Sequence, residues 1–306
     1  MNLPTDFQFS QASLQDYVDC PRRFQLRYIR RVAWPALRAE PALESERFVQ
    51  QGTAFHRLVH QHIVGLPVER LSSAVNDENL RRWWSNYLES PPLNLPPRHY
   101  PEVVLSAPVG GHRLVAKYDL VALDAVRRAS AEVDASSRAI IVDWKTSRKR
   151  PQRRWLAGRL QTRVYPYLLV QAGAQLSAGQ PLAPEQVEMI YWFAGFPAEP
   201  ERFSYDAAQC EADGVYLTSL VEEIVGLGDG GFPLTDQERR CRYCLYRSLC
   251  RRGVEAGPFD DAEADDHTSA DLDRASADLD RAFDELGLGD DVDLVLGLEQ
   301  IAEIEY

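Results

Sequence analysis

The N-terminal part of the chain carries the residue spacing of amphipathic helices. In residues 9–31, apolar side chains recur every three to four positions, and Cys20-Pro21 interrupts the pattern. Residues 47–64 and 76–89 repeat this spacing, which predicts two further helices. The stretch 91–101 contains too many prolines for a helix or a central strand, so we expect a connecting loop there.

The period changes after the proline-rich stretch. Residues 103–109 and 112–124 have hairpin character, with Gly110-Gly111 at the turn. The later segments predict a buried strand at 139–146, a helix at 152–176, strands at 187–195 and 201–206, and a helix at 206–227. Helices and strands in this order favour an α/β core over a helical bundle or a repeat protein.

Composition removes several classes of protein. Of the 306 residues, 45% are hydrophobic and 26% are charged, an ordinary balance for a soluble globular chain. No apolar run approaches the roughly 18 residues that a membrane span needs, and residues 1–10 lack the basic and apolar regions of a signal peptide. We therefore expect a cytoplasmic protein without a membrane partner.

The charge is divided unevenly along the chain. Residues 257–306 contain 17 acidic and 2 basic residues, a net charge of −15, whereas residues 1–256 contain 29 acidic and 32 basic residues, a net charge of +3. The acidic part also repeats SADLDRA at 269–275 and 276–282, which places leucines seven residues apart. We expect 257–306 to be a separate acidic tail, helical or partly disordered, following the main domain at 1–256.

The first chemical candidate is Asp119 with Asp143 and Lys145. Because a strand has a period of two, the side chains of Asp143 and Lys145 leave the same face of the predicted strand. Two carboxylates and an ammonium near strand ends suit a hard divalent cation, Mg²⁺ or Mn²⁺, next to a phosphodiester. The alternative is an ordinary surface pair of opposite charges at a strand end.

Two further candidates lie on predicted helices. His56 and His60 share one helix face, but Arg57 stands where a zinc hydrolase would carry the glutamate base, so a locally bonded helix histidine is the alternative. Gln161 and Tyr165 also share a face, next to a run of arginines. An amide and a phenol can contact phosphate or sugar, and the alternative is a solvated basic face.

The cysteines suggest ligation. Cys241, Cys244 and Cys250 form most of a four-cysteine shell for zinc or a [4Fe–4S] cluster, and the second C-x₂₋₄-C pair of a zinc site is missing. A fourth ligand must therefore be distant in sequence. Cys20 is available, whereas the helical setting of Cys210 is more typical of a partly buried thiol.

Taken together, these motifs resemble the RecB-like branch of the PD-(D/E)xK nucleases. The resemblance is closest to members that carry an iron–sulfur cluster, such as the nuclease domain of AddB and the CRISPR-associated exonucleases. It covers most of residues 9–252 in order. The matching segments are SQASLQDYVDCPRRFQLRYI, QGTAFHRLVH, Asp119, DWKT at 143–146, the Q-x-x-x-Y of Gln161 and Tyr165, and CRYCLYRSLC.

This resemblance implies a fold and a set of site residues. The fold would be a restriction-endonuclease-like α/β core, a central mixed sheet flanked by helices, whose N- and C-terminal helical segments are joined by a Cys₄ metal cluster. The implied roles are as follows: His56, Asp119, Asp143 and the carbonyl of Trp144 as ligands of Mg²⁺ or Mn²⁺, Lys145 as the catalytic lysine beside Asp119 and Asp143, Gln161 and Tyr165 on the DNA strand, and Cys20, Cys241, Cys244 and Cys250 on a [4Fe–4S] cluster in preference to zinc.

The resemblance also has departures and a functional consequence. Lys117-Tyr118 precede Asp119 where relatives often have a glycine, and Leu245 follows Cys244 where proline is frequent. The implied function is a metal-dependent DNA exonuclease that acts on single-stranded ends. The alternative is a DNA-end-binding nuclease subunit that works through a helicase or a CRISPR-type partner, with the acidic tail as a docking or autoinhibitory element.

Overall fold

The computed structural model describes residues 3–4, 7–32, 40–124, 137–227 and 231–253. The predictions for the acidic tail 257–306 lie outside the described residues. The helices are α1 Gln11–Asp19, α2 Pro21–Phe24, α3 Glu40–Ile63, α4 Val68–Ser73, α5 Glu78–Glu89, α6 Arg153–Ala157, α7 Leu160–Ala172 and α8 Ala207–Gly226. Across these residues, no helix is long and apolar enough to cross a membrane.

The strands form two sheets. They are β1 Phe9–Ser10, β2 Arg98–Pro101, β3 Val104–Val109, β4 His112–Lys117, β5 Leu120–Leu123, β6 Ala139–Lys145, β7 Val187–Phe193 and β8 Glu201–Ser204. The larger sheet has the order β2-β5-β6-β7-β8, and within it only β6 and β7 pair in parallel. The smaller sheet has the order β1-β4-β3, with β1 parallel to β4.

The larger sheet is covered by helices on both faces. Along β6 and β7, Ile141 and Met189 pack into a core shared with α1, α7 and α8, whereas Ile140 and Ile190 pack into a core shared with α3, α4 and α5. Since successive strand residues point to opposite faces, both faces are apolar, as in a sheet buried on both sides. The expected α/β architecture, a central mixed sheet flanked by helices, is confirmed, and it is consistent with a restriction-endonuclease-like fold.

The segment 112–124 does not form one strand of a hairpin. The turn at Gly110-Gly111 is present and β3 pairs with β4, but β5 leaves the smaller sheet and pairs with β2 and β6 of the larger one. Tyr118, which is fully buried, stands at the break. This change of sheet places Asp119 at the junction between the two sheets.

Three other local predictions are corrected by the structure. The proline-rich stretch 91–101 ends in strand β2, an edge position that tolerates Pro101 because no inner neighbour needs its missing N–H. Phe9–Ser10 form β1, and the first helix begins only at Gln11, with Ser10 as its N-cap. The predicted helix 152–176 divides into α6 and α7, because Arg159 has an extended backbone between them.

Candidate active site

Strand β6 carries two of the predicted site residues to its C-terminal end. Asp143 and Lys145 occupy alternate positions, and Lys145 Nζ lies 3.0 Å from Asp143 Oδ2. The prediction that these side chains share one face is therefore confirmed by their contact. Asp143 is almost completely buried, whereas the Lys145 side chain retains some access to solvent.

Asp119 joins this pair from the sheet junction. Leu120 pairs with Val142, so Asp119 lies level with the end of β6, where the Trp144 N–H donates to Asp119 Oδ2 at 2.8 Å. His56 Nδ1 lies 3.3 Å from Asp119 Oδ1. Helix α3 brings His56 here because the preceding residue, Phe55, is fully buried and stacks on Trp192 of β7.

Gln161 connects the carboxylate to the lysine. Its Nε2 donates to Asp143 Oδ1 at 2.5 Å, and its Oε1 accepts from Lys145 Nζ at 3.0 Å. Tyr165, one turn later on α7, is buried against Tyr118 with ring centroids 4.8 Å apart. The structure thus brings Gln161 into the site and Tyr165 beneath it, and their predicted contact with DNA stays a prediction.

The buried charges shift one another's proton affinity. Burial favours neutral His56, but the charge of Asp119 and its hydrogen bond outweigh burial and raise the His56 pKa to about 9. Burial also opposes ionisation of Asp119, yet the His56 charge and the Trp144 N–H hold the pKa of this carboxyl below its usual value. The pKa of Asp143 is raised by burial, against the Lys145 ammonium. The pKa values of the two carboxyls are therefore shifted in opposite directions, and each carboxyl lies beside a basic side chain.

The donor set fits a hard divalent cation. Carboxylate oxygens suit Mg²⁺ or Mn²⁺, and Asp143 Oδ2 is a buried oxygen that accepts no hydrogen bond from the described residues, although the Lys145 ammonium is 3.0 Å away. In the described part of the chain, no group of three or more His, Cys, Asp or Glu side chains is arranged to hold a metal ion. The side chains that would bind a cation are thus paired with each other here.

Sequence reasoning missed two charged residues beside the site. Lys117 Nζ forms an ion pair with Glu102 Oε2 at 2.6 Å, and the charge of Glu102 contributes to the raised pKa of His56. The Glu102 N–H also donates to the backbone carbonyl of Asp119. No sequence signal identifies this pair, because it depends on β3 pairing with β4 next to the sheet junction.

The predicted cluster cysteines lie near one another. Cys20 follows α1, and its charge raises the pKa of each of the three later thiols, Cys241, Cys244 and Cys250. Burial is the larger cause and raises the pKa of Cys244 to about 11. Cys210 lies elsewhere, on α8, where its thiol interacts with Tyr205 and Gln171.

Direct contacts hold the cysteine-bearing segment 231–253 against the N-terminal helices. The Arg22 N–H donates to the Pro233 carbonyl at 3.1 Å, and the Tyr246 hydroxyl donates to the Val32 carbonyl at 3.2 Å. Arg240 forms an ion pair with Asp19 of α1. These contacts explain how residues more than two hundred positions apart reach one place.

The chain was compared with solved structures, curated proteins and protein families. A solved structure named "Putative exonuclease" from Eubacterium rectale matches with a TM-score of 0.43 and 9% sequence identity, over 85% of this chain and 93% of that chain. No curated protein matches the chain. Residues 8–251 match the family described as the PD-(D/E)XK nuclease superfamily. This match spans most of the chain and includes every site residue described above, so the chain belongs to the PD-(D/E)XK nuclease superfamily.

Proposed function

We propose that this protein is a metal-dependent DNA exonuclease of the RecB-like branch that acts on single-stranded ends. One observation carries the proposal: the sheet junction, strand β6 and helix α7 bring Asp119, Asp143, Lys145 and Gln161 to one small region at the end of β6. A simple surface ion pair would need neither the burial of Asp143 nor the amide that joins it to Lys145. Membership of a nuclease superfamily supports the same conclusion.

The proposed roles follow from the chemistry of each group. His56, Asp119, Asp143 and the carbonyl of Trp144 would hold Mg²⁺ or Mn²⁺. When bound, the cation would lower the pKa of a water molecule and stabilise charge on the phosphodiester. The Lys145 ammonium would orient the attacking water or stabilise the developing negative charge. Gln161 would hold the side chains of Lys145 and Asp143 in position. The Gln161 amide and Tyr165 would also contact the DNA strand.

Substitution of the lysine tests this proposal. Lys145→Ala should lower the rate of Mg²⁺- or Mn²⁺-dependent cleavage of single-stranded DNA by about 100-fold or more, because charge stabilisation at the reacting phosphate is lost. Release of nucleotides from end-labelled strands measures the rate, and a chelator should abolish it. Arg82→Ala on α5, where the exposed guanidinium donates to the Asn79 side chain, is the matched charge control. Cleavage by Lys145→Ala at the wild-type rate would refute the assignment.

We also propose that Cys20, Cys241, Cys244 and Cys250 bind a [4Fe–4S] cluster. The electrostatic influence of Cys20 on each of the three later thiols and the docking of segment 231–253 on the N-terminal helices support this ligand set. Protein purified without oxygen should be brown and should lose iron in Cys244→Ser but keep it in the control Cys210→Ser. If the protein contained stoichiometric zinc and no iron, the four cysteines would instead be assigned to a zinc site.

A further inference from the structure

A surface cavity lies beside the cysteine-bearing segment 231–253. It encloses about 270 Å³ between α1, the α6–α7 turn and the segment that carries Arg240. Arg154, Arg159 and Arg240 line it, together with Trp155 and the α1 residue Asp19. None of these residues belongs to the carboxylate–lysine group at the end of β6.

The positive charge around this cavity exceeds the negative charge. Asp19 is its one acidic lining residue, and that carboxylate already contacts Arg240 and lies 2.9 Å from Nη2 of Arg23. Arg154 is exposed and makes no ion pair or hydrogen bond with any other described residue. An anion that enters the cavity would therefore meet three guanidinium groups and one carboxylate, and the Arg154 guanidinium has no ion pair with a described residue.

The first two residues of α7 contact a lining residue of the cavity and the active site, respectively. Gln15 of α1 accepts the N–H of Leu160 at 3.0 Å, which fixes the start of α7 beside the cavity. Gln161 follows directly and reaches Asp143 and Lys145. The guanidinium of Arg159 lies over the ring of the half-buried Trp155, 5.0 Å from the ring centroid. The rim of the cavity therefore contains an aromatic ring and a cation in contact.

We propose that this cavity binds a phosphate of the DNA strand, next to the phosphate that is cleaved at the end of β6. Arg154, Arg159 and Arg240 bind the phosphate oxygens, and Trp155 supplies a surface on which the adjacent base stacks. The phosphate belongs either to the interior of the strand or to its terminus, since the same chemistry recognises both. The inference rests on the proposed function, because it extends the substrate path of that site.

Arg154 offers the cleanest test, because its side chain makes no hydrogen bond or ion pair with another described residue. We expect Arg154→Ala to weaken binding of a short fluorescein-labelled single strand about fivefold, and Arg154→Glu to weaken it further. Fluorescence anisotropy without divalent metal measures affinity while cleavage is prevented. The slope of log affinity against log salt concentration should fall by about 0.7 for the lost phosphate contact. Arg82→Ala, on the opposite face of the sheet, is the control for a generic loss of charge.

The outcomes separate this inference from the proposed function. Wild-type protein that neither binds nor cleaves the strand would overturn both. Wild-type protein that binds and cleaves, with Arg154→Ala and Arg154→Glu equal to it in affinity and salt slope, would overturn the cavity alone. A loss confined to strands with a terminal phosphate would assign the cavity to that end, and an equal loss without one would assign it to an interior phosphate.

Discussion

At the scale of single residues, Gln161 is the side chain that joins Asp143 to Lys145 in the candidate site. An amide both donates and accepts, so it can hold the Asp143 carboxylate with one atom and the Lys145 ammonium with the other. A glutamate at this position could only accept and would bring a further negative charge to Asp143. An alanine would leave both groups without this partner.

We therefore expect Gln161→Ala to reduce nuclease activity by about 10- to 100-fold, a size typical of residues that orient metal ligands. The loss should appear in kcat if Gln161 positions Lys145 and Asp143, and in KM if it mainly contacts the DNA. Steady-state kinetics at saturating Mg²⁺ distinguish the two. Gln171→Ala, on the exposed side of the same helix, should retain full activity; a similar loss in that variant would point to damage of α7 as a whole.

Tyr118 makes a second prediction at this scale. Its buried hydroxyl donates to the Tyr165 carbonyl at 2.9 Å, directly before Asp119. Tyr118→Phe should lower the free energy of unfolding by about 1 kcal/mol, because a buried carbonyl loses its donor while the ring packing is kept. Urea denaturation measures this loss. Unchanged stability would mean that water or a shifted side chain satisfies the carbonyl.

Part of the site follows from residue spacing and part does not. The two-residue interval between Asp143 and Lys145 predicts their shared face, since strand geometry is local. The contact of Gln161 with both depends on how α7 packs against β3 and β7, and no local pattern encodes that packing. The Lys117–Glu102 pair and the arginine-lined cavity escape prediction for the same reason.

At the scale of elements, the clearest lesson comes from residues 112–124. A period of two predicts extended backbone and a buried face, but it does not specify which strand is the neighbour. Here the chain changes neighbours at Tyr118, from β3 to β2 and β6, and the pattern continues across the break. Similarly, the prolines of 91–101 correctly exclude a central strand and yet allow the edge strand β2.

Helix α5 provides a test of an element through its cap. Asp77 accepts the Leu80 N–H at 3.1 Å and the Gln51 side chain at 2.9 Å. Asp77→Ala should lower the free energy of unfolding by about 1 kcal/mol at neutral pH, the usual cost of losing an N-cap. Denaturant titration of both proteins measures the difference.

The same cap predicts a pH dependence. Burial raises the pKa of Asp77, but its bonds to Leu80, Gln51 and Arg47 outweigh burial and lower it below 3.8. Because the folded state favours the ionised form, the stabilisation is complete above the unfolded pKa and is lost as pH falls through the lower folded value. The difference in free energy of unfolding between wild type and Asp77→Ala should therefore narrow in acid, whereas the difference between Asp77→Asn and Asp77→Ala should stay constant. A constant difference between wild type and Asp77→Ala would contradict the assignment.

At the scale of the whole molecule, charge is separated between the body and the acidic tail. Removal of residues 257–306 changes the formal net charge from −12 to +3 for the remaining chain. We expect the shortened protein to bind single-stranded DNA more tightly and to cleave it faster, most strongly at low salt, because exposed charges are screened at high salt. Equal affinity and rate for both proteins at low salt would exclude an autoinhibitory tail.

The contacts between segment 231–253 and the N-terminal helices turn the described chain into a closed loop. Arg22 to Pro233 and Asp19 to Arg240 join its two ends, so a force applied to those ends is carried first by these contacts. The strands that hold Asp119 and Asp143 lie inside the loop and are shielded from such tension. A nuclease that is tethered at either end while DNA is pulled past it could thus keep the two carboxylates in position when the chain is under tension.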